Sequence, residues 1–146
     1  MDAGGNEVVA AADGVVTFVE DDHPDRCGLD LGAIDSVERL VSLLEKPTCP
    51  REKANKVRID HGAGIETQYL HLKKGSIRVN KGARVRCGDV LGEIGSSGRS
   101  LWPHLHFDVI DNGAHVDPFE GSATNRTYWA VPGSGRLPGS SCARAR

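Results

Sequence analysis

The run Trp102-Pro103-His104-Leu105-His106-Phe107-Asp108-Val109 sets two imidazoles and a carboxylate at alternate positions. Leu105, Phe107 and Val109 fall between them, the period of a half-buried strand. On that reading His104, His106 and Asp108 share one face, while the three apolar side chains turn toward a core. Two neutral imidazoles on one face offer nitrogen lone pairs to a divalent cation, zinc above all. A solvated strand face can carry the same His-x-His pair, so the surroundings must decide between the two readings.

Those surroundings are short strands and tight turns. Gly92-Glu93-Ile94-Gly95-Ser96-Ser97-Gly98-Arg99-Ser100 is a turn-rich loop leading into Pro103. Gln68-Tyr69-Leu70-His71-Leu72 is a second alternating run, and a strand over Ile65 to Leu72 would put Tyr69 and His71 on one face. Val8 to Val16 reads as two short strands joined in a hairpin at Asp13-Gly14. Val57 and Ile59 alternate with charged residues up to the His61-Gly62 turn, and Asp111-Asn112-Gly113 is a further hairpin turn. Ile77, Val79 and Val85 mark short strand pieces, and Gly88 to Gly92 closes the sheet ahead of the site loop.

The 146 residues suffice for one domain with a proper core. Eighteen glycines with short apolar runs favour strands and turns over helices, hence an all-β fold. A formal charge of −2 gives no footprint for nucleic acid or an anionic membrane. No apolar run approaches the roughly 20 residues of a spanning helix, and no export signal follows Met1.

Taken in order, AAADGVV at 10–16, YLHL at 69–72, GDVLGEIGSSG at 88–98 and PHLHFDV at 103–109 resemble the M23 family of zinc metallopeptidases, the lysostaphin and LytM type. The resemblance runs from about Gly5 to Phe119 and implies a small antiparallel split barrel or β-sandwich. It implies a peptidase core over 1–119, interrupted by an insertion at 20–55; from Glu120 onward Gly, Ser, Pro and Arg accumulate, which reads as a C-terminal extension at 120–146, disordered from about 133. Thr127 to Val131 is the one sticky patch of that extension. Within the insertion, Asp35-Ser36-Val37-Glu38 has capping-box spacing with Asp35 as cap, and Ile34, Val37, Leu40, Val41 and Leu44 follow helical spacing until Pro47.

By resemblance, the chain is a zinc-dependent endopeptidase that cleaves peptide bonds in bacterial peptidoglycan, acts outside the cytoplasm and works as a monomer on peptidoglycan peptides. His106 is then the zinc ligand, while His71 and His104 share the roles of base and oxyanion support. Asp108 either orients a neighbouring imidazole or is a plain exposed carboxylate. Trp102 stands where the family commonly has glycine, so it either narrows the groove or offers an aromatic platform, with Tyr69 as a second substrate contact. Cys27 and Cys49 bracket the inserted helix and are expected to pair, as suits an exported protein. The pairing of Cys87 and Cys142 is left open. His61 resembles a turn histidine that is not a ligand, His115 a surface one, and His23 with Asp25 and Asp30 a solvated turn.

The family's other two ligands come from a His-x-x-x-Asp motif ahead of the turn occupied here by Gly5 to Val8. By the usual spacing they fall upstream of Met1, and Asp2 sits too close to Gly5 to serve. The expectation is therefore that Met1 is internal to a longer protein, and that these 146 residues bind zinc weakly and hydrolyse little. The alternative is a catalytically inactive M23-like domain that binds cell wall or activates a partner amidase, although such regulators usually lose the histidines kept here. A biotinyl or lipoyl carrier would need a lysine at a tight hairpin tip, and a cupin a glutamate soon after His-x-His; neither is present.

Overall fold

The structure, a computed structural model, describes residues 6–50 and 52–118. Strands β1 (Glu7–Val9), β2 (Gly14–Glu20), β3 (Lys56–Asp60), β4 (Ile65–Leu70), β5 (Arg84–Val85), β6 (Val90–Glu93), β7 (His106–Asp111) and β8 (Ala114–Val116) are joined by one helix, α1 (Val37–Leu44). A six-stranded antiparallel sheet runs β5-β2-β3-β4-β7-β8, and a two-stranded sheet pairs β1 with β6. The residues expected to alternate do so where it matters: Val57 and Ile59 are fully buried, as is Val109 of β7. Val8 and Leu91 of the small sheet pack with Val16, Val57, Ile59 and Tyr69 of the large one, so the main core lies between the two sheets. This is the all-β split-barrel arrangement with an inserted helix. Among the described residues no helix is long and apolar enough to cross a membrane.

Several local expectations are revised. β1 and β2 do not form a hairpin, because β1 pairs with β6 and β2 with β3 and β5. Asp13 is tied elsewhere: its carbonyl accepts from His61 Nδ1 at 2.7 Å and its carboxylate from the Cys87 amide at 2.8 Å. Ile77 and Val79 lie outside any strand, although both pack on the core. The helix cap is Ser36, not Asp35, since its hydroxyl accepts from the Arg39 amide at 3.2 Å. α1 ends at Leu44, before Pro47, and buries Leu40 and Leu44 while Val37 stays exposed.

The insertion has a small core of its own. Leu40, Leu44 and Cys49 cluster with Cys27, Leu29, Ile34 and, from outside the insertion, Leu101. Cys27 and Cys49 form a disulfide across a sequence separation of 22. Closing a loop of that length is worth about 3 kcal/mol in lost unfolded-state entropy. Cys87 is also disulfide-bonded. Cys142, the 120–146 extension with its 127–131 patch, Phe119 and residues 1–5 lie outside the described residues.

His61 closes a buried polar chain beneath the large sheet. Its Nδ1 donates to the Asp13 carbonyl, so its Nε2 is an acceptor, 2.7 Å from the Thr67 hydroxyl. Thr67 lies 3.2 Å from the Tyr69 hydroxyl, which accepts from the Ala11 amide at 2.8 Å. Burial lowers the His61 pKa below 6.5, against the pull of the Asp13 carbonyl. The fold therefore favours the neutral ring, and the unfolded chain takes the proton first as pH falls. The stability this chain supplies is complete above about pH 6.5 and is lost below it. The melting temperature should fall between pH 7 and pH 5. His61→Ala should cost about 1–3 kcal/mol at pH 7 by leaving Thr67 and Asp13 short of a partner. It should also flatten the pH slope of thermal melts, leaving a residue from His71, whose pKa is shifted the same way.

Candidate active site

His71 follows β4 directly, and its backbone is left-handed, with φ at 63°. A non-glycine residue there carries a strain of about 1–3 kcal/mol, which the surrounding structure must hold in place. The strain breaks the strand alternation after Tyr69 and Leu70, so the His71 ring does not continue Tyr69's row into the core. It meets the ring of His104 at 4.7 Å between centroids and that of His106 at 6.0 Å. Its Nδ1 donates to the Ser97 carbonyl at 2.7 Å, which leaves Nε2 with a bare lone pair. The residue is 8% exposed, and burial pushes its pKa below the usual histidine value. The Ser97 carbonyl opposes that shift, while His104 and His106 add to it.

His104 sits in irregular backbone ahead of β7, not in the strand as expected. Its amide donates to the Gly95 carbonyl at 3.2 Å, and its Nδ1 donates to the Trp102 carbonyl at 2.8 Å. The Ser100 hydroxyl lies 3.2 Å from the same nitrogen. His104 thus also presents a bare Nε2. Gly95 is required by a close approach: a Cβ there would stand 2.5 Å from the backbone of Lys73. The loop runs against the chain just past His71, with the Gly95 amide donating to the His71 carbonyl at 3.0 Å.

His106 opens β7 and is held the other way round. Its Nε2 donates to Asp108 Oδ1 at 3.0 Å, leaving Nδ1 bare. Asp108 therefore orients an imidazole, the first of its two sequence readings. Its other oxygen accepts from Gln68 Nε2 at 3.3 Å, and Gln68 Oε1 accepts from Arg58 Nε and Nη2 at 3.1 and 2.7 Å. Strand register makes this row, since Arg58 faces Gln68 across β3 and β4, and Gln68 faces Asp108 across β4 and β7. Gln68 is buried, so its amide has few alternatives to these partners.

Two further expected placements fail. Tyr69 is 1% exposed, its ring 5.3 Å from Phe107 and its hydroxyl bonded to Ala11, so it serves the core and is not a substrate contact. Leu105 is 36% exposed, because β7 starts one residue after it. Trp102 is 58% exposed beside His104. His115 is exposed, with Nδ1 3.6 Å from Asp108 Oδ1. His23 is more than a solvated turn: it bonds Glu20 at 2.7 Å, and its backbone is clasped by Asn55. Sequence reasoning passes over Ser97, Ser100, Gln68 and Arg58. The serines carry a signal in the turn-rich loop, but the Gln68 row depends on strand register alone.

The family implied by the sequence uses zinc, and the donor type here suits it: three neutral imidazoles with free nitrogens on adjoining rings. The donor number does not, since among the described residues no group of three or more His, Cys, Asp or Glu is disposed to hold a metal ion.

The sequence profile of Peptidase family M23 matches residues 41–118, more than half of the chain. The chain belongs to peptidase family M23. Over 64 residues it is 45% identical to the DD-carboxypeptidase/endopeptidase Mpg of Neisseria meningitidis serogroup B, covering 44% of this chain and 14% of that protein. Over 76 residues it is 36% identical to the peptidoglycan DD-endopeptidase ShyC of Vibrio cholerae, covering 52% of this chain and 17% of that one. The matched M23 stretch is thus a small fraction of those relatives. A zinc containing peptidase from Vibrio cholerae superposes with a TM-score of 0.52 at 29% identity, covering 76% of this chain and 25% of that chain.

The M23 site makes one direct prediction about its polar row. Asp108→Ala removes the acceptor of His106 Nε2, so nitrogen-15 shifts of His106 should move from a single Nε2-protonated tautomer to a mixture. The shifts of His71 and His104, which rest on carbonyl acceptors, should stay where they are.

Proposed function

We propose that this chain carries the catalytic site of a zinc-dependent endopeptidase acting on peptide bonds of bacterial peptidoglycan. The observation that supports this best is the meeting of His71, His104 and His106, brought together from two separate segments with one bare nitrogen on each. M23 membership supports a peptidase, and likeness to the peptidoglycan DD-endopeptidase ShyC supports peptidoglycan as the substrate. Likeness to the zinc containing peptidase of Vibrio cholerae supports zinc as the metal. The Cys27–Cys49 disulfide supports an oxidising, extracytoplasmic location.

His106 would hold the zinc through Nδ1, the nitrogen that Asp108 leaves free. The two further ligands that the family resemblance implies have no counterpart among the described residues. When bound, zinc supplies Lewis-acid polarisation of the carbonyl and a water acidic enough to attack at neutral pH. His71 is kept neutral by burial and has its lone pair on Nε2, so it suits the role of base that removes the water proton. His104, more open, would support the developing oxyanion and the leaving amine only with a second proton, on Nε2, since Nδ1–H is committed to the Trp102 carbonyl. Trp102 stands exposed beside it as an aromatic platform for the substrate.

Dye-labelled peptidoglycan incubated with the protein at saturating zinc should release soluble peptide fragments, slowly because only one of the three expected ligands is among the described residues, and a chelator should stop the release. His71→Ala and His104→Ala should each lower the rate about 10²–10⁴-fold with the fold intact by circular dichroism. His106→Ala should also abolish zinc binding by calorimetry. Release that continues in chelator, or that survives His106→Ala, contradicts the zinc reading. Binding to peptidoglycan without release, at saturating zinc, would instead favour a non-catalytic wall-binding domain.

A further inference from the structure

The strap between β2 and β3 grips the site loop from both of its ends. From the first end, the Arg26 amide donates to the Ser96 carbonyl at 2.7 Å, and Asp25 Oδ1 accepts from the Ser96 amide at 3.1 Å. The Pro24 carbonyl accepts from the Gly98 amide at 3.1 Å, and Arg26 Nε donates to the Leu101 carbonyl at 3.1 Å. From the other end, the Cys49 carbonyl accepts from Arg99 Nε and Nη2 at 3.2 and 3.0 Å, and the Asn55 amide donates to the Ser97 hydroxyl at 3.0 Å. Gly98, at φ 70°, lies so close to the Lys53 carbonyl that a Cβ would overlap it. The disulfide joins the two ends within the cluster that receives Leu101.

Asn55 closes the neck. Fully buried, it accepts from the His23 amide at 2.7 Å and donates to the carbonyls of His23 at 2.8 Å and Leu72 at 3.0 Å. Leu72 is next to His71, and Ser97 carries the carbonyl that holds the His71 ring. The loop gripped in this way also supplies the Ser100 hydroxyl and the Trp102 carbonyl at His104 Nδ1. Among the described residues neither imidazole is hydrogen-bonded to the strap itself, yet the main-chain oxygen that fixes the His71 tautomer belongs to a loop that the strap holds.

We propose that the disulfide-closed insertion is a positioning clamp for His71 and His104, acting through residues 96–101, and that opening the Cys27–Cys49 bond loosens the site while leaving the sheet folded. The residues through which it acts are Asp25, Asn55 and Arg99. A dithiol reductant would open it by attacking the sulfur–sulfur bond. It transfers two electrons and leaves as its own cyclic disulfide, and each released cysteine sulfur takes one proton. The consequence for activity rests on the peptidase reading above; the consequence for the loop does not.

The test compares the parent with Cys27→Ser/Cys49→Ser, which avoids reducing the disulfide of Cys87. In the double variant, hydrogen exchange at the Ser96 and Gly98 amides should accelerate at least tenfold, while amides of β3 and β4 keep their protection. The nitrogen-15 signature of Nδ1-protonated His71 should give way to a tautomer mixture, and peptidoglycan release should fall at least tenfold. Unchanged loop exchange and an unchanged His71 tautomer would overturn the clamp. Equal acceleration in loop and sheet would also overturn it, since the insertion would then serve stability alone. If the double variant fails to fold, Arg99→Ala, which removes only the ties to the Cys49 carbonyl, is read by the same criteria. If the parent itself releases no peptide, the peptidase reading fails, and the exchange and tautomer measurements still decide the clamp.

Discussion

The bond from His71 Nδ1 to the Ser97 carbonyl is the point on which the site depends. It joins the end of β4 to the loop ahead of β7 and chooses the tautomer of the most buried of the site's three imidazoles. It also compensates a left-handed residue that would otherwise relax toward the strand conformation. Without that carbonyl, a buried N–H would lack an acceptor, at a cost of about 1–3 kcal/mol. Much of the surrounding construction, from the close passage of Gly95 to the buried Asn55, keeps Ser97 where it is.

The three rings are oriented by two different devices. His71 and His104 donate Nδ1 to main-chain carbonyls, whereas His106 donates Nε2 to a carboxylate. Main-chain acceptors fix a ring without adding charge, which agrees with a buried ring whose neutral form is favoured. The carboxylate on His106 adds negative charge behind the ring and raises the electron-donating power of its far nitrogen. That is the arrangement expected where one imidazole serves a cation and the other two handle protons.

Much of this was legible in the chain. The alternation of Val57 and Ile59, and of Phe107 with Val109, marked strands that the fold contains. The spacing of Ile34 to Leu44 marked the inserted helix. What stayed hidden depended on long-range pairing or on one backbone angle. Asp13-Gly14 looks like a hairpin, but β1 pairs with β6 and Asp13 bonds to His61 and Cys87. Tyr69 and His71 are two apart, and alternation would put them together; the left-handed residue 71 undoes that and turns His71 toward His104 and His106, while Tyr69 stays in the core. Nothing local in Gln68 reveals that it will face both Arg58 and Asp108, because that follows from the registers of β3, β4 and β7. The insertion was readable as a helix with bracketing cysteines, but not as a partner of the loop at 96–101, since Leu101 gives no sign of the cluster it joins.

Catalysis of the proposed kind requires imidazole nitrogens left free to face one common space, with His106 Nδ1 as the one that meets the metal. Anomalous diffraction at the zinc edge from crystals of the protein grown with zinc tests this most directly. The expected result is a peak bonded to His106 Nδ1, with His71 and His104 beside it and not bonded to it. A peak on Nε2 of His106, or zinc bound away from these three rings, would contradict it.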